Sequence, residues 1–328
     1  MKIYVYSVRD DEKAYLERYM CRDDVEITLS PKEPTLGNAS SLAGFDGVSI
    51  LGQTKIVQPL LDEWKRQGIR YLSTRTIGYN HIDVAYARSI GMRVCNANYA
   101  PNGVADFTVM MMLLVLRNYK PSLWRGQVYD FSLEGLQGRE MRSLTVGIIG
   151  TGRIGTAVIQ NLSGFGCKML AYDIRENEAV KKWAAYVDLK TLYQESDIIT
   201  LHMPLLEFTY HLIDREAIHQ MKDGVILVNC ARGELMNLDD LIDELESGKI
   251  GGLGLDTVES EEGLIHLDLR TKILNNRRIA YIRQFPNVVM TQHMAFYTRE
   301  AVESMVRCGI EGILGMAKNQ RGQTEIDI

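Results

Sequence analysis

The stretch at residues 144–155 restricts the fold of this chain more than any other part of its sequence. An apolar run at 146–149 has the composition of a buried parallel strand, and it leads directly into a Gly-x-Gly-x-x-Gly motif and a helical pattern. In such a motif the first glycine permits a tight turn, the second lets a pyrophosphate approach the backbone, and the third lets the helix pack against the strand. The free amides at the helix N-terminus favour phosphate. The stretch therefore predicts a dinucleotide-binding unit with contacts from Gly150, Gly152, Arg153, Ile154 and Gly155.

The next predicted strand is followed by an acid suited to ribose binding. This strand covers residues 168–172, and Asp173 follows it close to the expected position, about 20 residues after the glycines. A carboxylate there accepts a hydrogen bond from the 2′-hydroxyl of the adenosine ribose and repels a 2′-phosphate, which favours NAD over NADP. Arg175 would weaken that preference. The alternative is an ordinary strand-to-helix turn in which Asp173 caps a helix.

The length and the strand–helix alternation predict two domains. At 328 residues the chain exceeds the usual size of a single domain. Short apolar strands alternate with helical patterns through residues 1–98 and again through residues 144–292, which is typical of open parallel sheets with helices on both faces. Residues 118–143 between these stretches look irregular. A helical pattern from Thr298 to about Gly315 is expected to return to the first domain.

The predicted fold class is therefore α/β, with two doubly wound parallel-sheet domains and a cleft between them. A Rossmann NAD-binding domain is expected at residues 99–297, and a discontinuous, flavodoxin-like substrate domain at residues 1–98 and 298–328. Sheets of this kind bind ligands at the carboxyl ends of their strands. Residues 51–53 and 73–80 follow predicted strands of the first domain and are candidate substrate positions.

Composition and charge exclude several classes of function. A net charge of −5 gives no electrostatic reason to bind nucleic acid or an acidic membrane. The five cysteines are scattered without a C-x-x-C pair, so neither a disulfide framework nor a zinc site is expected, and a reducing cytoplasm fits. The apolar stretch at 109–116 is much shorter than the roughly 20 residues that span a bilayer. The surrounding helix, 104–117, is apolar enough for a homodimer interface, although burial within the subunit would explain it equally well.

Side chains that could bind an anion or transfer a proton follow the later predicted strands. Arg232 could bind a carboxylate through two parallel hydrogen bonds, or could be a surface arginine. His293 suits proton transfer near neutral pH, although a single histidine is more often structural. An acid beside it would keep it cationic, and Glu259, Glu261 and Glu262 are all candidates unless this acidic segment is simply a solvated loop. The spacing of these acids does not by itself distinguish among them.

The order of these motifs resembles that of the D-2-hydroxyacid dehydrogenase family along nearly the whole chain. In that family an arginine lies in a V-N-x-x-R-G segment, a glutamate comes five residues after an aspartate, and a histidine ends the last strand. The resemblance implies that Arg232, Glu261, at that offset from Asp256, and His293 are the catalytic residues. It also implies cofactor contacts from His202 and Pro204 of an H-x-P segment, from Asp256, which would bind the nicotinamide carboxamide, and from Cys230, where threonine is common.

Three segments are similar to the branch that contains D-lactate dehydrogenases and VanH. They are residues 73–83, 164–168 and 296–298. In that branch backbone amides of the first segment bind the substrate carboxylate, which implies Ile77 and Gly78, and Tyr99 matches a tyrosine that points at the substrate. Asp173 is a departure from VanH, which lacks this acid.

The resemblance implies an NAD-dependent oxidoreductase that reduces a 2-oxo acid to a D-2-hydroxy acid without a metal. His293 would donate a proton, Glu261 would keep it cationic, and Arg232 would bind the carboxylate. Pyruvate, which gives D-lactate, is the expected substrate, while larger branched or aromatic 2-oxo acids are alternatives because Gly52 leaves space. Related phosphoglycerate and formate dehydrogenases fit less well, the latter because they carry glutamine in place of this glutamate. A non-enzymatic NAD-sensing scaffold is the alternative from a different class.

Overall fold

The computed structural model describes residues 1–52, 54–320, 322 and 324–326, so the predicted substrate contact of Gln53 lies outside the described residues. The chain divides into two compact units, Met1–Ala100 with Tyr297–Ile328, and Pro101–Phe296. Tyr99 and Tyr297 therefore belong to the first unit, whereas the predicted boundaries put them in the second. The segment before Tyr99 stays in the first unit because its backbone is hydrogen-bonded there, for example from Ala97 N to Thr76 O at 2.9 Å.

Strands and helices alternate through most of the chain. The described strands are β1 (Lys2–Val5), β2 (Glu26–Leu29), β3 (Gly47–Ile50), β4 (Tyr71–Thr74), β5 (Arg93–Cys95), β6 (Thr145–Ile149), β7 (Lys168–Tyr172), β8 (Ala185–Tyr186), β9 (Ile198–Leu201), β10 (Val225–Asn229), β11 (Ile250–Leu255) and β12 (Val288–Met290). The α-helices are α1 (Asp10–Met20), α2 (Gln58–Arg66), α3 (Val84–Ser89), α4 (Asn102–Leu116), α5 (Tyr119–Gln127), α6 (Arg153–Leu162), α7 (Leu189–Glu195), α8 (Arg215–Gln220), α9 (Leu238–Glu246), α10 (Arg277–Ile282) and α11 (Arg299–Ala317).

The first unit is built on a five-stranded sheet in the order β2-β1-β3-β4-β5, with every neighbouring pair parallel. This is the strand order of flavodoxin-like folds. Alternate residues of β1 enter different hydrophobic clusters, as the two faces of a sheet require. On one face Ile3 and Val5 pack with Val306, Ile310 and Ile313 of α11. The sequence did not predict β5, which is only three residues long.

The second unit is built on a seven-stranded parallel sheet in the order β12-β11-β10-β9-β6-β7-β8. The strand order reverses between β6 and β9, as in dinucleotide-binding folds, which bind their ligand at that point of the sheet. The prediction of two doubly wound parallel-sheet α/β domains is confirmed. The sequence did not predict β8, which has two residues at the edge of the sheet.

Helix α4 buries most of its apolar surface inside the second unit. Eight of its residues are buried, and two glycines of β11 make room for it. A Cβ added to Gly252 would lie 2.5 Å from Val115, and one added to Gly254 would lie 3.4 Å from Met111. Packing within the subunit therefore accounts for the apolar character of this helix, without a second subunit.

The prediction that residues 118–143 are irregular was wrong for Tyr119–Gln127, which form α5, whereas residues 128–140 contain no helix or strand. No residue of α5 is buried, so its sequence lacks the apolar periodicity by which a helix is predicted. The helix is held instead through Lys120, whose Nζ donates hydrogen bonds to the backbone oxygens of Arg283, Phe285 and Val288 at 2.6–2.7 Å.

Residues 264–284 form a charged segment to which the sequence assigns no function, and this segment contains α10 near its end. Ile279 and Ile282 of this helix are buried in the core of the second unit. Arg278 forms an ion pair with Asp239 at 3.0 Å on the surface. At least the last part of the segment is thus a packed element of the fold.

Two kinds of feature are absent from the described ranges of the chain. No helix there combines the length and the apolarity needed to cross a bilayer. In the same ranges no group of three or more histidine, cysteine, aspartate or glutamate side chains is arranged to hold a metal ion.

Candidate active site

Three candidate catalytic side chains follow neighbouring strands of the second unit. Arg232 follows β10, Glu261 follows β11 and His293 follows β12, and these three strands are adjacent and parallel. The carboxyl ends of parallel strands lie at one edge of the sheet, where such folds bind their ligands. The fold therefore brings the three residues to the same edge.

His293 and Glu261 are joined by a short hydrogen bond. His293 Nδ1 lies 2.6 Å from Glu261 Oε1, and the other carboxylate oxygen accepts a hydrogen bond from Val258 N at 3.0 Å. Both side chains are mostly shielded, with relative exposures of 30% and 19%. Because an ionised carboxylate only accepts hydrogen bonds, Nδ1 carries the hydrogen and Nε2 is the ring nitrogen left for chemistry. This pairing separates Glu261 from the other acids of its loop.

Asp256 fastens the backbone that carries His293. Its carboxylate accepts hydrogen bonds from Thr291 Oγ1 at 2.6 Å and from the backbone amides of Met294 and Ala295 at 2.8 Å. His293 itself has a φ of 54°, a left-handed conformation that is uncommon outside glycine. The bonds on both sides of it hold the backbone in that conformation. They use three of the roughly four acceptor positions of a carboxylate, so one position remains for the predicted cofactor contact.

The guanidinium of Arg232 has no acidic partner among the described residues. Its Nη1 donates to Ala231 O at 2.7 Å, and its own backbone oxygen accepts from Asn229 Nδ2 at 2.7 Å. In the described part of the chain no carboxylate forms an ion pair with it, and the nearby Glu234, the partner expected if Arg232 were a surface arginine, does not contact it in this way. A half-buried guanidinium without a counter-charge is suited to bind an anion.

A second histidine–glutamate pair, which the sequence did not reveal, lies in the neighbouring loops. His211 Nε2 is 3.0 Å from Glu259 Oε1, and Glu259 Oε2 accepts from Leu238 N at 3.2 Å. The His211 backbone amide donates to Glu234 O at 2.8 Å. His211 lies in the connection after β9, so these bonds tie that connection to the loop after β10, which carries Arg232, and to the loop after β11, which carries Glu261. No local motif marks this pair, because its members are far apart in the sequence.

The geometry of the glycine motif fits a bound dinucleotide. Gly150 has a φ of 94°, and a Cβ there would lie 2.6 Å from the backbone oxygen of His202. A Cβ on Gly155 would overlap Gly150 O, whereas one on Gly152 would meet no described atom within 4 Å. α6 begins at Arg153 and its N-terminus has no side-chain cap among the described residues, which suits this helix end to phosphate. The motif thus combines a tight turn, close helix packing and an open approach to the backbone.

His202 adds a buried polar atom beside this motif. Its Nε2 lies 3.0 Å from Thr200 Oγ1, and its buried Nδ1 has no hydrogen-bond partner among the described residues. Burial lowers the pKa of His202 to about 3, so the ring is neutral near pH 7. Burial also raises the pKa of the Cys230 thiol to about 12, which keeps it protonated and unreactive. Pro204 is exposed two residues after His202.

Asp173 lies against the glycine motif. Its Oδ2 accepts a hydrogen bond from the backbone amide of Thr151 at 2.6 Å, and its Oδ1 accepts one from Arg175 N at 3.1 Å. The next α-helix, α7, begins only at Leu189 and is capped by Asp188. The alternative in which Asp173 caps a helix is therefore wrong.

The remaining candidates lie in the first unit. Ile77 and Gly78 follow β4, and their backbone amides meet no hydrogen-bond acceptor within the described ranges. Asn96 Nδ2 donates to Ile77 O at 2.7 Å, which joins this turn to the chain leading to Tyr99. Tyr99 is half-buried. Two adjacent unused amides at a strand end are suited to bind a carboxylate.

Comparisons with known proteins agree with this arrangement. A family model described as D-isomer specific 2-hydroxyacid dehydrogenase, NAD binding domain, matches residues 109–295. The chain is 43% identical over 328 residues to an aromatic 2-oxoacid reductase of Clostridium sporogenes, covering 98% of this chain and 99% of that protein. It is 35% identical over 329 residues to a D-lactate dehydrogenase of Lactiplantibacillus plantarum, covering 99% of each.

A solved structure shows the same fold with the cofactor bound. The D-isomer specific 2-hydroxyacid dehydrogenase of Lactobacillus delbrueckii ssp. bulgaricus, in its NAD-complexed form, matches with a TM-score of 0.84 and 30% identity over 100% of both chains. The predicted family and the predicted cofactor, NAD, are confirmed. The chain belongs to the D-isomer-specific 2-hydroxyacid dehydrogenase family and is an NAD-dependent oxidoreductase similar to D-lactate dehydrogenases.

Proposed function

We propose that this enzyme reduces a 2-oxo acid to a D-2-hydroxy acid, with His293 as the proton donor. The observation that carries the proposal is the 2.6 Å contact between His293 Nδ1 and Glu261 Oε1, at the strand edge shared with Arg232. A carboxylate that accepts a hydrogen bond from Nδ1 orients the ring, so that Nε2 is available to donate.

The residues divide the work of carbonyl reduction. Bound NADH supplies the hydride that the carbonyl carbon accepts. His293 Nε2 donates a proton to the carbonyl oxygen as its negative charge develops, and Glu261 stabilises the cation before the transfer. Arg232 binds the substrate carboxylate and polarises the carbonyl. In the oxidation of the hydroxy acid, His293 takes the proton back.

The other predicted residues are proposed to bind the two ligands. Ile77 and Gly78 would donate backbone hydrogen bonds to the carboxylate, and Tyr99 would contact the substrate. Asp173 would accept from the adenosine ribose. The remaining cofactor contacts are assigned to Gly150, Gly152, Arg153, Ile154, Gly155, His202, Pro204, Cys230 and Asp256.

Pyruvate, reduced to D-lactate, is the substrate that we propose from the sequence. A second class, aromatic 2-oxo acids, is favoured by the 43% identity to an aromatic 2-oxoacid reductase, which exceeds the 35% identity to a D-lactate dehydrogenase. Both substrates carry the same 2-oxo carboxylate, so the proposed roles of Arg232 and His293 apply to either. They differ only in the side chain that the substrate pocket must accommodate.

The test is a comparison of kcat/KM for pyruvate, 4-methyl-2-oxopentanoate and phenylpyruvate, from the loss of NADH absorbance and chiral analysis of the product. We expect D-hydroxy acid as the sole enantiomer in every case. A kcat/KM for pyruvate at least about tenfold above that for phenylpyruvate, or about 1.4 kcal/mol, would support pyruvate, and the reverse order would support the aromatic class. An L-product, or turnover of none of the three, would contradict the proposed reaction.

We also propose a homodimer formed through an exposed apolar surface that includes part of α5. Its residues are Leu123, Trp124, Val128, Tyr129, Phe131 and Leu133, and three of them are more than three-quarters exposed. Several large apolar side chains exposed within one short segment indicate a protein interface, and a second copy is the partner that a homodimer supplies. Because α4 is already buried within the subunit, the proposal rests on this surface alone.

Light scattering should report a dimer for the unmodified enzyme. The double substitution of Phe131 and Leu133 by aspartate is expected to give a monomer, because charges in the centre of an apolar interface oppose association. Leu36→Asp, at an exposed apolar residue of the first unit, is the control and should remain dimeric. A monomeric unmodified enzyme, or a dimer in the double variant, would refute the proposed interface.

We propose that the enzyme acts in the cytoplasm. All five cysteines are free, including the buried Cys95 and Cys230, which is the state that a reducing compartment maintains.

A further inference from the structure

A chain of hydrogen bonds ends at the carboxylate of Asp173. The backbone amide of Asn177 donates to Tyr186 Oη at 2.8 Å, Tyr186 Oη donates to Thr151 Oγ1 at 2.7 Å, and Thr151 Oγ1 donates to Asp173 Oδ2 at 3.1 Å. The direction of the chain follows from its two ends. An amide can only donate and an ionised carboxylate can only accept, so each hydroxyl between them accepts one bond and passes its own hydrogen forward.

The chain holds the carboxylate against the glycine motif. Thr151 lies between the first two glycines of the motif and is only 2% exposed. It contacts Asp173 Oδ2 through its backbone amide, at 2.6 Å, as well as through its hydroxyl. With the bond from Arg175 N to Oδ1, three donors fix the two carboxylate oxygens. To rotate away, Asp173 would have to break these charge-assisted hydrogen bonds and leave the buried Thr151 hydroxyl without its acceptor.

Tyr186, at the edge of the sheet, anchors the chain of hydrogen bonds. Tyr186 is the second residue of β8, the two-residue strand that pairs with β7 in the register Ala171–Tyr186. Asp173 directly follows β7, so this pairing sets the tyrosine hydroxyl beside the glycine motif. The Asn177 side chain also bonds Thr156 Oγ1 at 3.2 Å, which attaches this loop to α6. The chain of hydrogen bonds is thus supported by β8, by the loop that carries Asn177 and by α6.

We propose that Thr151 and Tyr186 are positioning residues that determine the selectivity of this enzyme for NAD over NADP. The inference rests on the proposed role of Asp173 in binding the adenosine ribose. A fixed carboxylate receives the 2′-hydroxyl of NAD without rearrangement, whereas the 2′-phosphate of NADP brings about two negative charges to the same position. A carboxylate that could rotate away would relieve this repulsion, and the hydrogen-bond chain prevents that rotation.

The test compares the binding of NADH and NADPH to the enzyme in the absence of substrate, by fluorescence titration. Thr151→Val keeps the volume of the side chain and removes the hydroxyl, and Tyr186→Phe removes only its hydroxyl. The ratio of Kd for NADPH to Kd for NADH is expected to fall roughly 5- to 10-fold in each variant, the size of one hydrogen bond. The Kd ratio should fall little further in the double variant than in either single variant, because both substitutions interrupt the same chain of hydrogen bonds.

Two references make the outcomes distinct. Asp173→Ala reports the full selectivity of the carboxylate, and Tyr281→Phe, which removes a tyrosine bonded to Glu246 on the surface of the same unit, is the matched control. If Asp173→Ala lowers the ratio but Thr151→Val and Tyr186→Phe weaken both cofactors equally, the positioning role is refuted and the ribose contact stands. If Asp173→Ala leaves the ratio unchanged, the ribose contact itself is wrong, although the proposed carbonyl reduction is unaffected. A lowered ratio in Tyr281→Phe would also refute the assignment.

Discussion

Replacing His293 with glutamine is expected to lower kcat by about 10²- to 10⁴-fold, the usual contribution of a general acid or base. Glutamine keeps much of the side-chain size and can hydrogen-bond to Glu261, but it has no proton to transfer near neutral pH. The affinity for NADH should stay within about twofold, because a group that acts only on the transition state contributes little to ground-state binding. Steady-state turnover followed by NADH absorbance, together with NADH fluorescence titration, measures the two quantities separately.

The matched control for this substitution is His219→Gln. His219 also pairs with a glutamate, Glu244, at 2.9 Å, but its side chain is 59% exposed on α8 and outside the strand edge that carries the candidate site. The His219→Gln variant should retain the turnover of the unmodified enzyme. Parallel losses of kcat and NADH affinity in His293→Gln would assign His293 a structural role instead, and so would an equal loss in the control.

Replacing Glu12 with glutamine is expected to lower the free energy of unfolding by about 3–5 kcal/mol, because it leaves a buried charge without its partner. Glu12 and Arg75 are both fully buried, and Arg75 Nε lies 2.7 Å from Glu12 Oε1. The guanidinium also donates to Ser49 Oγ and to the backbone oxygen of Tyr6, so it remains held in the core after the substitution. Urea unfolding of the variant and the unmodified enzyme measures the difference.

The same pair predicts how stability depends on pH. Burial raises the pKa of Glu12, but attraction and hydrogen bonding to Arg75 outweigh it and leave the pKa of Glu12 below its usual value. The contribution of a group with a lowered folded-state pKa is present above its unfolded pKa, about 4.3 for glutamate, and is lost as the pH falls below it. Between about pH 5 and pH 3 the unmodified enzyme should therefore lose more stability than Glu12→Gln.

An exposed ion pair provides the control for the loss of stability expected in Glu12→Gln. Arg18 and Glu303 form a contact of 2.6 Å with side chains that are 64% and 50% exposed. Glu303→Gln should cost less than about 1 kcal/mol, as exposed pairs usually do. If Glu12→Gln cost no more than this, or kept the acid sensitivity of the unmodified enzyme, the buried pair would not have the energetic role assigned to it.

The fold was predictable where local patterns were strong, and less so where tertiary contacts decide. The glycine motif and the longer apolar strands carry their signal within a few residues, and those elements were predicted. β5 and β8 have three and two residues, too few for a periodic pattern, and they exist because longer neighbouring strands pair with them. α5 has no buried face, so its side chains give no helical periodicity, and its attachment through Lys120 joins residues far apart in the sequence.

The candidate site shows the same division. Position after a strand identified Arg232 and His293, because the topology of a parallel sheet places such residues at one edge. Chemistry alone left Glu259, Glu261 and Glu262 equivalent, and the resemblance to the family selected Glu261 by its offset from Asp256. In the folded loops Glu261 pairs with His293, and Glu259 pairs with His211. Asp256 was predicted as a cofactor contact, and its bonds to the backbone around His293 were not foreseen. Such bonds depend on the register between β11 and β12, which the sequence does not state.

The discontinuity of the first unit has a consequence for the way the chain emerges from the ribosome. Val306, Ile310 and Ile313 of α11 complete the hydrophobic cluster around β1, yet the ribosome reaches them only after it has made the whole of Pro101–Phe296. One apolar face of the N-terminal sheet therefore stays uncovered until α11 is made, whereas the second unit, which is continuous in sequence, can already form its own core. During synthesis the segment made first is completed last, and its uncovered face is the surface that a chaperone would have to protect.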